Sequence, residues 1–168
     1  MIKPCTLQDV SALQHIASKT FVDTFGKDNT AEDMKKHVET AYHLDKLSRE
    51  LQEDQSQYYF LMVDDGVAGY LKLNWGTAQS EEMGEQTLEI QCLYVDVAFK
   101  RQGYGKQMMD FAISKAKELG KTSVWLGVWE RNTAAIAFYQ SVGFEQNGAH
   151  SFWVGDDEQI DWIMEKKV

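Results

Sequence analysis

The feature that most constrains the fold is a continuous strand, turn and helix near the middle of the chain. Residues 87–99, TLEIQCLYVDVAF, form a β-rich run whose second half is apolar on nearly every position, which is typical of a central strand covered on both faces. KRQGYG follows at residues 100–105, and apolar residues then recur at helical spacing as far as Gly120. The segment predicts a covered strand that runs through a glycine turn directly into a helix.

Shorter segments on both sides predict the rest of a sheet. Residues 2–5 predict a strand and residues 10–17 an amphipathic helix. Residues 23–54 predict a polar loop followed by one or two short helices, with breaks near Asn29 and His43. Residues 58–75 predict a hairpin that turns at Asp64, Asp65 and Gly66. Residues 122–128 predict a buried strand, residues 132–144 a helix, and residues 145–154 and 159–166 two further strands. We therefore expect one α/β domain over residues 1–168, a mixed and mostly antiparallel sheet flanked by helices.

Charge and composition exclude several classes of protein. Lys and Arg number 17 against 26 Asp and Glu, a net charge of −9, whereas nucleic-acid binding needs a basic surface. Charged residues interrupt every apolar stretch near the N-terminus, so no signal peptide or membrane span is predicted and a cytoplasmic protein is expected. Cys5 and Cys92 are too few for a disulfide framework. No metal site is predicted, because the four histidines, at positions 15, 37, 43 and 150, are scattered.

The glycine turn has the chemistry of an anion site. A helix start presents unpaired N–H groups, and the helix dipole favours negative charge there. Gly103 and Gly105 allow close approach and unusual backbone conformations, and Lys100, Arg101 and Lys106 supply local positive charge. The spacing fits neither a Walker A loop nor a dinucleotide fingerprint. Phosphate is the natural occupant, and ordinary helix-entry chemistry is the alternative.

Two motifs carry a family resemblance. KRQGYG resembles the Q/R-x-x-G-x-G/A signature of the Gcn5-related N-acetyltransferases (GNAT), with Lys100 in the place of the usual Gln or Arg, for which we expect altered contacts and retained binding. NTAAIAFYQSVGF, at the family's expected distance, is similar to its N-x-x-A-x-x-F-Y-x-x-x-G-F pattern. The resemblance implies an acetyl-CoA-dependent N-acetyltransferase with a seven-stranded sheet and a splayed central strand pair. Through QSEEMGE, WLGVWE and GAHSFWVGDDEQ the chain also resembles PaiA-type spermidine/spermine acetyltransferases, which implies a polyamine acceptor.

The resemblance also implies residue roles. Tyr139 is the implied general acid that protonates the coenzyme A sulfur, and backbone N–H groups from Leu93 to Val95 face the thioester. Asn132 either caps its helix or contacts the pantetheine arm. The implied cofactor-binding residues are Leu93, Tyr94, Val95, Lys100, Arg101, Gln102, Gly103, Tyr104, Gly105, Lys106, Asn132 and Tyr139.

The sequence indicates the residues that would bind and deprotonate the acceptor less clearly. Glu89, on the strand before the turn, is the candidate general base, directly or through water; a solvated strand-edge glutamate is the alternative. Loop carboxylates at residues 81–85 and 156–158 form either an acidic acceptor groove or solvated loops. The substrate-binding candidates are Glu82, Glu89 and Asp157.

The alternative functions also use acetyl-CoA, but they differ in the acceptor or lack catalysis. The acceptor is a polyamine or another small amine, or else a protein N-terminus, a lysine or an aminoglycoside. A non-catalytic protein that binds acetyl-CoA and regulates a partner is a further alternative. Cys92 is not favoured as a nucleophile, because no histidine lies near it in the sequence to activate it. The sequence leaves a monomer and a homodimer equally open.

Overall fold

The computed structural model describes residues 1–168, with the exception of the side chain of Val154. The described residues form seven strands and five α-helices. The strands are β1 (Ile2–Pro4), β2 (Ser56–Val63), β3 (Gly66–Trp75), β4 (Thr87–Val95), β5 (Ser123–Trp129), β6 (Glu145–Val154) and β7 (Asp157–Lys167). The helices are α1 (Val10–Phe25), α2 (Ala31–Ala41), α3 (Leu44–Leu51), α4 (Tyr104–Glu118) and α5 (Thr133–Ser141).

The strands form one sheet in the order β1-β2-β3-β4-β5-β7-β6. The β4–β5 pair is parallel, and every other neighbouring pair is antiparallel. A parallel pair needs a crossover, and α4 supplies it, because it leaves β4 through the glycine turn and packs against the sheet before β5 begins. The mixed, mostly antiparallel sheet expected from the sequence is confirmed.

The sheet has a hydrophobic core on each face. One core contains α4 and α5, with Met108, Met109 and Ala112 of α4 fully buried against β4 and β5. The other contains α1 and α3, where Leu13 and Leu47 pack on Tyr58 and neighbouring strand residues. Since both faces of β4 are covered, its continuous apolar run is explained.

The two central strands separate partway along their length. Their pairing runs from Thr87 and Ser123 to Ile90 and Leu126, whereas β4 continues to Val95 and β5 continues to Trp129. The register of β4 against β3 also shifts near this point, so that Gln91 forms a bulge. The expected splayed pair is therefore present, and its opening lies beside the glycine turn.

Candidate active site

A cavity of about 860 Å³ occupies the opening between the separated ends of β4 and β5. Its walls come from β4, β5, the start of α4, and α5, and at the other end from α1, α2, β6 and β7. The cavity therefore has two chemically different ends. We call the part beside α4 the turn end and the part beside α1, α2 and β7 the acceptor end.

The turn end is built from main-chain amides and cationic side chains. The first bond of α4 joins Gln107 N to Gly103 O at 3.1 Å, so the amides of Tyr104, Gly105 and Lys106 point out of the helix end. The side chains of Lys100, Arg101 and Lys106 line the same end. This arrangement concentrates positive charge and N–H donors at one place, which suits a phosphate group.

The two glycines of the turn have different structural roles. Gly103 has a φ of +84°, which a side chain would strain, and Arg101 also adopts a left-handed conformation with a φ of +64°. Gly105 has ordinary helical geometry, so the expectation of an unusual conformation holds for Gly103 alone. A Cβ at Gly105 would lie 3.6 Å from the Phe138 ring, an ordinary contact. Gly105 therefore leaves room in the cavity. The remaining residue of the turn, Gln102, is exposed and does not line the cavity.

The open edge of β4 presents main-chain donors to the middle of the cavity. Asp96 N donates to Ala68 O of β3 at 2.7 Å, and Tyr94 lies two residues before it and opposite Tyr70. Because successive N–H groups of a strand point to opposite edges, those of Leu93 and Val95 point away from β3 toward the opening. The side chain of Tyr94 stacks on Tyr70, with ring centroids 5.8 Å apart, in the core on the α1 side.

Asn132, which precedes α5, and Tyr139 of α5 line the cavity beside this edge. Asn132 Oδ1 accepts a hydrogen bond from Ala135 N at 3.2 Å, so it caps the helix while its Nδ2 can still donate into the cavity. Tyr139 is buried among Phe138 and Phe144, and its side chain also lines the cavity. Burial, and then the nearby Cys92, raise the pKa of Tyr139, so the phenol keeps its proton at neutral pH.

Glu89 lies at the acceptor end in a central, buried position rather than at a solvated strand edge. Its side chain is held by three hydrogen bonds: Asn74 Nδ2 donates at 2.9 Å, Ser80 N donates at 2.8 Å, and the Ser80 hydroxyl donates to the second oxygen. Glu89 also lines the cavity. The carboxylate is thus fixed in place, with both oxygens already accepting hydrogen bonds.

The loop carboxylates expected to line an acceptor groove divide into two groups. Glu82 and Glu85 are exposed, and so are the three acidic residues of the β6–β7 turn region, where Asp157 accepts a bond from Gln159 and Glu158 one from Ser151. Neither Glu82 nor Asp157 is among the described residues that line the cavity. Glu81 does not line the cavity either, but it is only partly exposed, and its Oε2 lies 3.2 Å from His150 Nδ1.

The acceptor end is also lined by two residues that are not among the site residues predicted from the sequence. His150 of β6 and Asp161 of β7 are direct cross-strand partners, with His150 Nε2 at 3.3 Å from Asp161 Oδ2. His150 Nδ1 lies 3.2 Å from Glu81 Oε2. Burial, the main cause, raises the pKa of Asp161 to about 6, against a lowering effect from His150 and a smaller raising effect from Glu81.

Aromatic side chains complete the acceptor end. They are Phe21, Phe25, His37, Tyr42, Trp129 and Phe152. Phe25 packs on Trp129 with ring centroids 4.9 Å apart, and Phe21 stacks on His37 at 4.2 Å. The acceptor end therefore combines apolar walls with the carboxylates of Glu89 and Asp161.

Cys92 also lines the cavity, on the α1 side of β4. Burial raises the pKa of its thiol to about 11, although Lys72 acts in the opposite direction. A thiol with such a pKa stays protonated at neutral pH and is a poor nucleophile. This environment agrees with a structural thiol.

Comparisons with known proteins identify the family. The family model described as Acetyltransferase (GNAT) family matches residues 14–144. An uncharacterized N-acetyltransferase from the pepI 3′ region of Lactobacillus delbrueckii subsp. lactis is 45% identical over 161 residues, which cover 96% of this chain and 93% of that protein. The chain belongs to the GNAT family of acetyltransferases.

Solved structures share the fold over the whole chain. The crystal structure of the PaiA N-acetyltransferase from Thermoplasma acidophilum in complex with coenzyme A has a TM-score of 0.82 at 21% identity, covering 100% of this chain and 98% of that one. The ribosomal-protein-S18-alanine N-acetyltransferase from Escherichia coli has a TM-score of 0.73 at 19% identity, covering 100% and 93%. Separately, the described residues contain no helix that is both long enough and apolar enough to cross a membrane.

Proposed function

We propose that the protein transfers the acetyl group of acetyl-CoA to a primary amine of a polyamine such as spermidine or spermine. The observation that carries this proposal is the opposite chemistry of the two ends of one cavity. The turn end offers amides and cations for a diphosphate, and the acceptor end offers the carboxylates of Glu89 and Asp161 for an ammonium group. The open edge of β4 lies between them, where the thioester and the amine must meet.

The residues present fit coenzyme A along this path. The amides of Tyr104, Gly105 and Lys106, with the Lys100 and Arg101 side chains, are assigned to the diphosphate. Asn132 Nδ2 and the open β4 edge are assigned to the amides of the pantetheine arm. An N–H from Leu93 or Val95 is assigned to the thioester carbonyl oxygen, which becomes anionic during transfer.

The chemistry needs no covalent enzyme intermediate. The neutral amine nitrogen forms a bond to the thioester carbon and becomes positively charged, the bond from that carbon to sulfur breaks, and the sulfur leaves with the electron pair. The nitrogen then releases one proton, which replaces the proton that Tyr139 gives to the sulfur. Tyr139 donates its proton to that sulfur, and the same low-polarity surroundings that disfavour tyrosinate also disfavour the departing thiolate. For unperturbed groups, with pKa values of about 10 and 8.5, this proton transfer costs roughly 2 kcal/mol, which is small beside enzymatic barrier reductions of about 8 kcal/mol or more.

A polyamine suits the acceptor end better than an amine that carries a single positive charge. Fixed carboxylates favour a ligand with several positive charges, and the aromatic walls can cover the methylene segments between its nitrogens. The similarity to PaiA, together with the motifs QSEEMGE and GAHSFWVGDDEQ, supports this choice of acceptor. The similarity to a ribosomal-protein-alanine acetyltransferase makes a peptide N-terminus the main competitor.

A panel of amines tests the acceptor. We expect release of free thiol from acetyl-CoA to be at least tenfold faster, as kcat/KM, with spermidine or spermine than with an alanine-terminated peptide, a lysine peptide or an aminoglycoside. Butylamine is the matched control, since it presents the same primary amine without the further charges. Equal rates with butylamine and spermidine would contradict selection of a polyamine by the carboxylates of the acceptor end. Turnover of the peptide alone would identify a peptide N-terminus as the acceptor instead.

Replacement of the cavity thiol tests direct attack. Cys92→Ala should keep kcat within about threefold of the wild type, because a protonated, buried thiol contributes packing and no bond to the acetyl group. Steady-state kinetics with saturating amine measure this, and thermal unfolding reports the packing loss. Complete loss of turnover in a folded Cys92→Ala protein would require an acetyl-cysteine intermediate instead.

A further inference from the structure

The assignment of a base rests on the proposed function, because an amine acceptor must lose a proton before it attacks. An alkyl ammonium has a pKa of about 10.4, so only about one molecule in two thousand is neutral at pH 7. Glu89 is the obvious carboxylate by sequence, yet both its oxygens accept hydrogen bonds from Asn74 and Ser80. A second carboxylate at the acceptor end, Asp161, has a different set of partners.

Asp161 is the inner member of a chain of three side chains that leads outward from the cavity. His150 Nε2 is 3.3 Å from Asp161 Oδ2, and His150 Nδ1 is 3.2 Å from Glu81 Oε2. Side-chain exposure rises along the chain, from 20% for Asp161 through 28% for His150 to 35% for Glu81. The three residues come from β7, β6 and the loop before β4, so the folded sheet alone brings them together.

The neighbouring strand leaves space for this chain. A Cβ at Gly127 of β5 would lie 3.3 Å from Asp161 Oδ2, which is tighter than most Cβ contacts, and 3.4 Å from His150 Cε1. Gly127 also lines the cavity, at the point where β5 has separated from β4. The absence of a side chain there keeps the carboxylate of Asp161 open to a ligand in the cavity.

We propose that Asp161 accepts the proton of the substrate ammonium. His150 and Glu81 act as positioning residues, which orient Asp161 and connect it to solvent. In this step one N–H bond of the ammonium breaks, an O–H bond forms on Asp161, and the amine keeps the electron pair with which it attacks the thioester. The proton leaves to solvent after the transfer, along His150 and Glu81. A neutral imidazole donates to one carboxylate at a time and a protonated one to both, so His150 can exchange protons between them.

The surroundings of Asp161 support this role. The ionisable groups that face it are His150 from β6, Glu81 from the loop before β4, and Tyr94 from β4. Glu89, Tyr139 and His37 line the same cavity from β4, α5 and α2. Burial raises the pKa of Asp161 from 3.8 to about 6, so the group is still ionised at pH 7 and holds a proton about a hundredfold more strongly than an ordinary aspartate.

The test is the dependence of kcat/KM on pH with spermidine. The wild type should rise to a plateau with an apparent pKa near 6, because the ammonium form of the substrate reacts once Asp161 is ionised. Asp161→Asn can use only neutral amine, whose fraction grows tenfold per pH unit. We expect a loss of about 100-fold at pH 7 that shrinks steadily toward pH 9.5. A purely structural role would instead lower the Asp161→Asn profile by the same factor at every pH, parallel to the wild-type profile.

Two further variants ensure that the conclusion does not depend on Asp161→Asn alone. Asp54→Asn, the same change at an exposed position that does not line the cavity, should match the wild type. His150→Gln should move the acid limb of the profile to higher pH, because His150 lowers the pKa of Asp161. Coenzyme A affinity and circular dichroism confirm that each variant is folded.

The outcomes separate this inference from the proposed function. If the wild type turns over spermidine and the pH profiles of the wild type and Asp161→Asn are parallel, the assignment of Asp161 is overturned. It is also overturned if the acid limb does not move in His150→Gln. Both results leave the acetyltransferase proposal standing. If instead the wild type turns over none of the amines while binding coenzyme A, the proposed function itself fails.

Discussion

Gly105→Glu should raise the dissociation constant of coenzyme A by at least about 100-fold, which corresponds to roughly 3 kcal/mol. Gly105 lines the turn end of the cavity, and its amide is one of the donors assigned to the diphosphate. The new side chain occupies that space and adds a like charge next to two phosphates, so both the hydrogen bonds and the electrostatic attraction are lost. Isothermal titration calorimetry with coenzyme A measures the effect.

The fold should tolerate this substitution. Gly105 has ordinary helical backbone geometry, a Cβ there meets the Phe138 ring at 3.6 Å, and a carboxylate near a helix N-terminus is favourable. Gln107→Glu is the matched control, because it adds the same charge at an exposed position two residues further along α4. Equal affinities for the two variants would contradict a diphosphate at the turn and, with it, the use of acetyl-CoA.

Tyr139→Phe should lower kcat by about 100-fold while leaving the affinity for coenzyme A within about threefold, since positioned general acids contribute about 10² to 10⁴. The ring keeps its packing on Phe138 and Phe144, so the cavity wall is preserved and only the proton donor is removed. Rapid-mixing measurements at saturating acetyl-CoA and spermidine separate the transfer step from product release. The change should appear in the transfer step.

The control for this variant removes a hydroxyl from the same core. Tyr59→Phe lies on β2, in the core that also contains Tyr139, and packs against Phe111 with ring centroids 4.8 Å apart. Its kcat should match the wild type. If Tyr139→Phe also turned over normally, the sulfur would have to take its proton from another group. A protein that only senses acetyl-CoA would show no turnover in either variant or in the wild type.

Much of the turn end of the cavity was predictable because its determinants are local. The strand, the turn and α4 follow one another over residues 87–118, and a helix start exposes its amides whatever the rest of the chain does. The motif spacing therefore located the turn end of the cavity. The separate role of Gly105 was not predictable, because its φ angle and the distance to Phe138 depend on where α5 packs.

The acceptor side was less predictable for the opposite reason. The sequence pointed to Glu89, which lines the cavity, and also to Glu82 and Asp157, which are exposed loop residues. It treated His150 as one of several scattered histidines. A signal was present, since an aspartate amid the apolar residues of β7 is unusual for a strand. Had the hairpin turn been placed at residues 155 and 156, antiparallel pairing would have set His150 opposite Asp161.

By itself, the sequence determined the order of strands and helices, the glycine turn and its family motif, because hydrophobic periodicity and backbone conformation act over a few neighbouring residues. Only the tertiary structure decided which carboxylates reach the cavity. Glu81, His150 and Asp161 meet because β7 lies between β5 and β6 in the sheet, and the space beside them exists because β5 has already separated from β4. The contact of Glu81 with His150, 69 residues further along the chain, depends on strand order and register, which no local pattern contains.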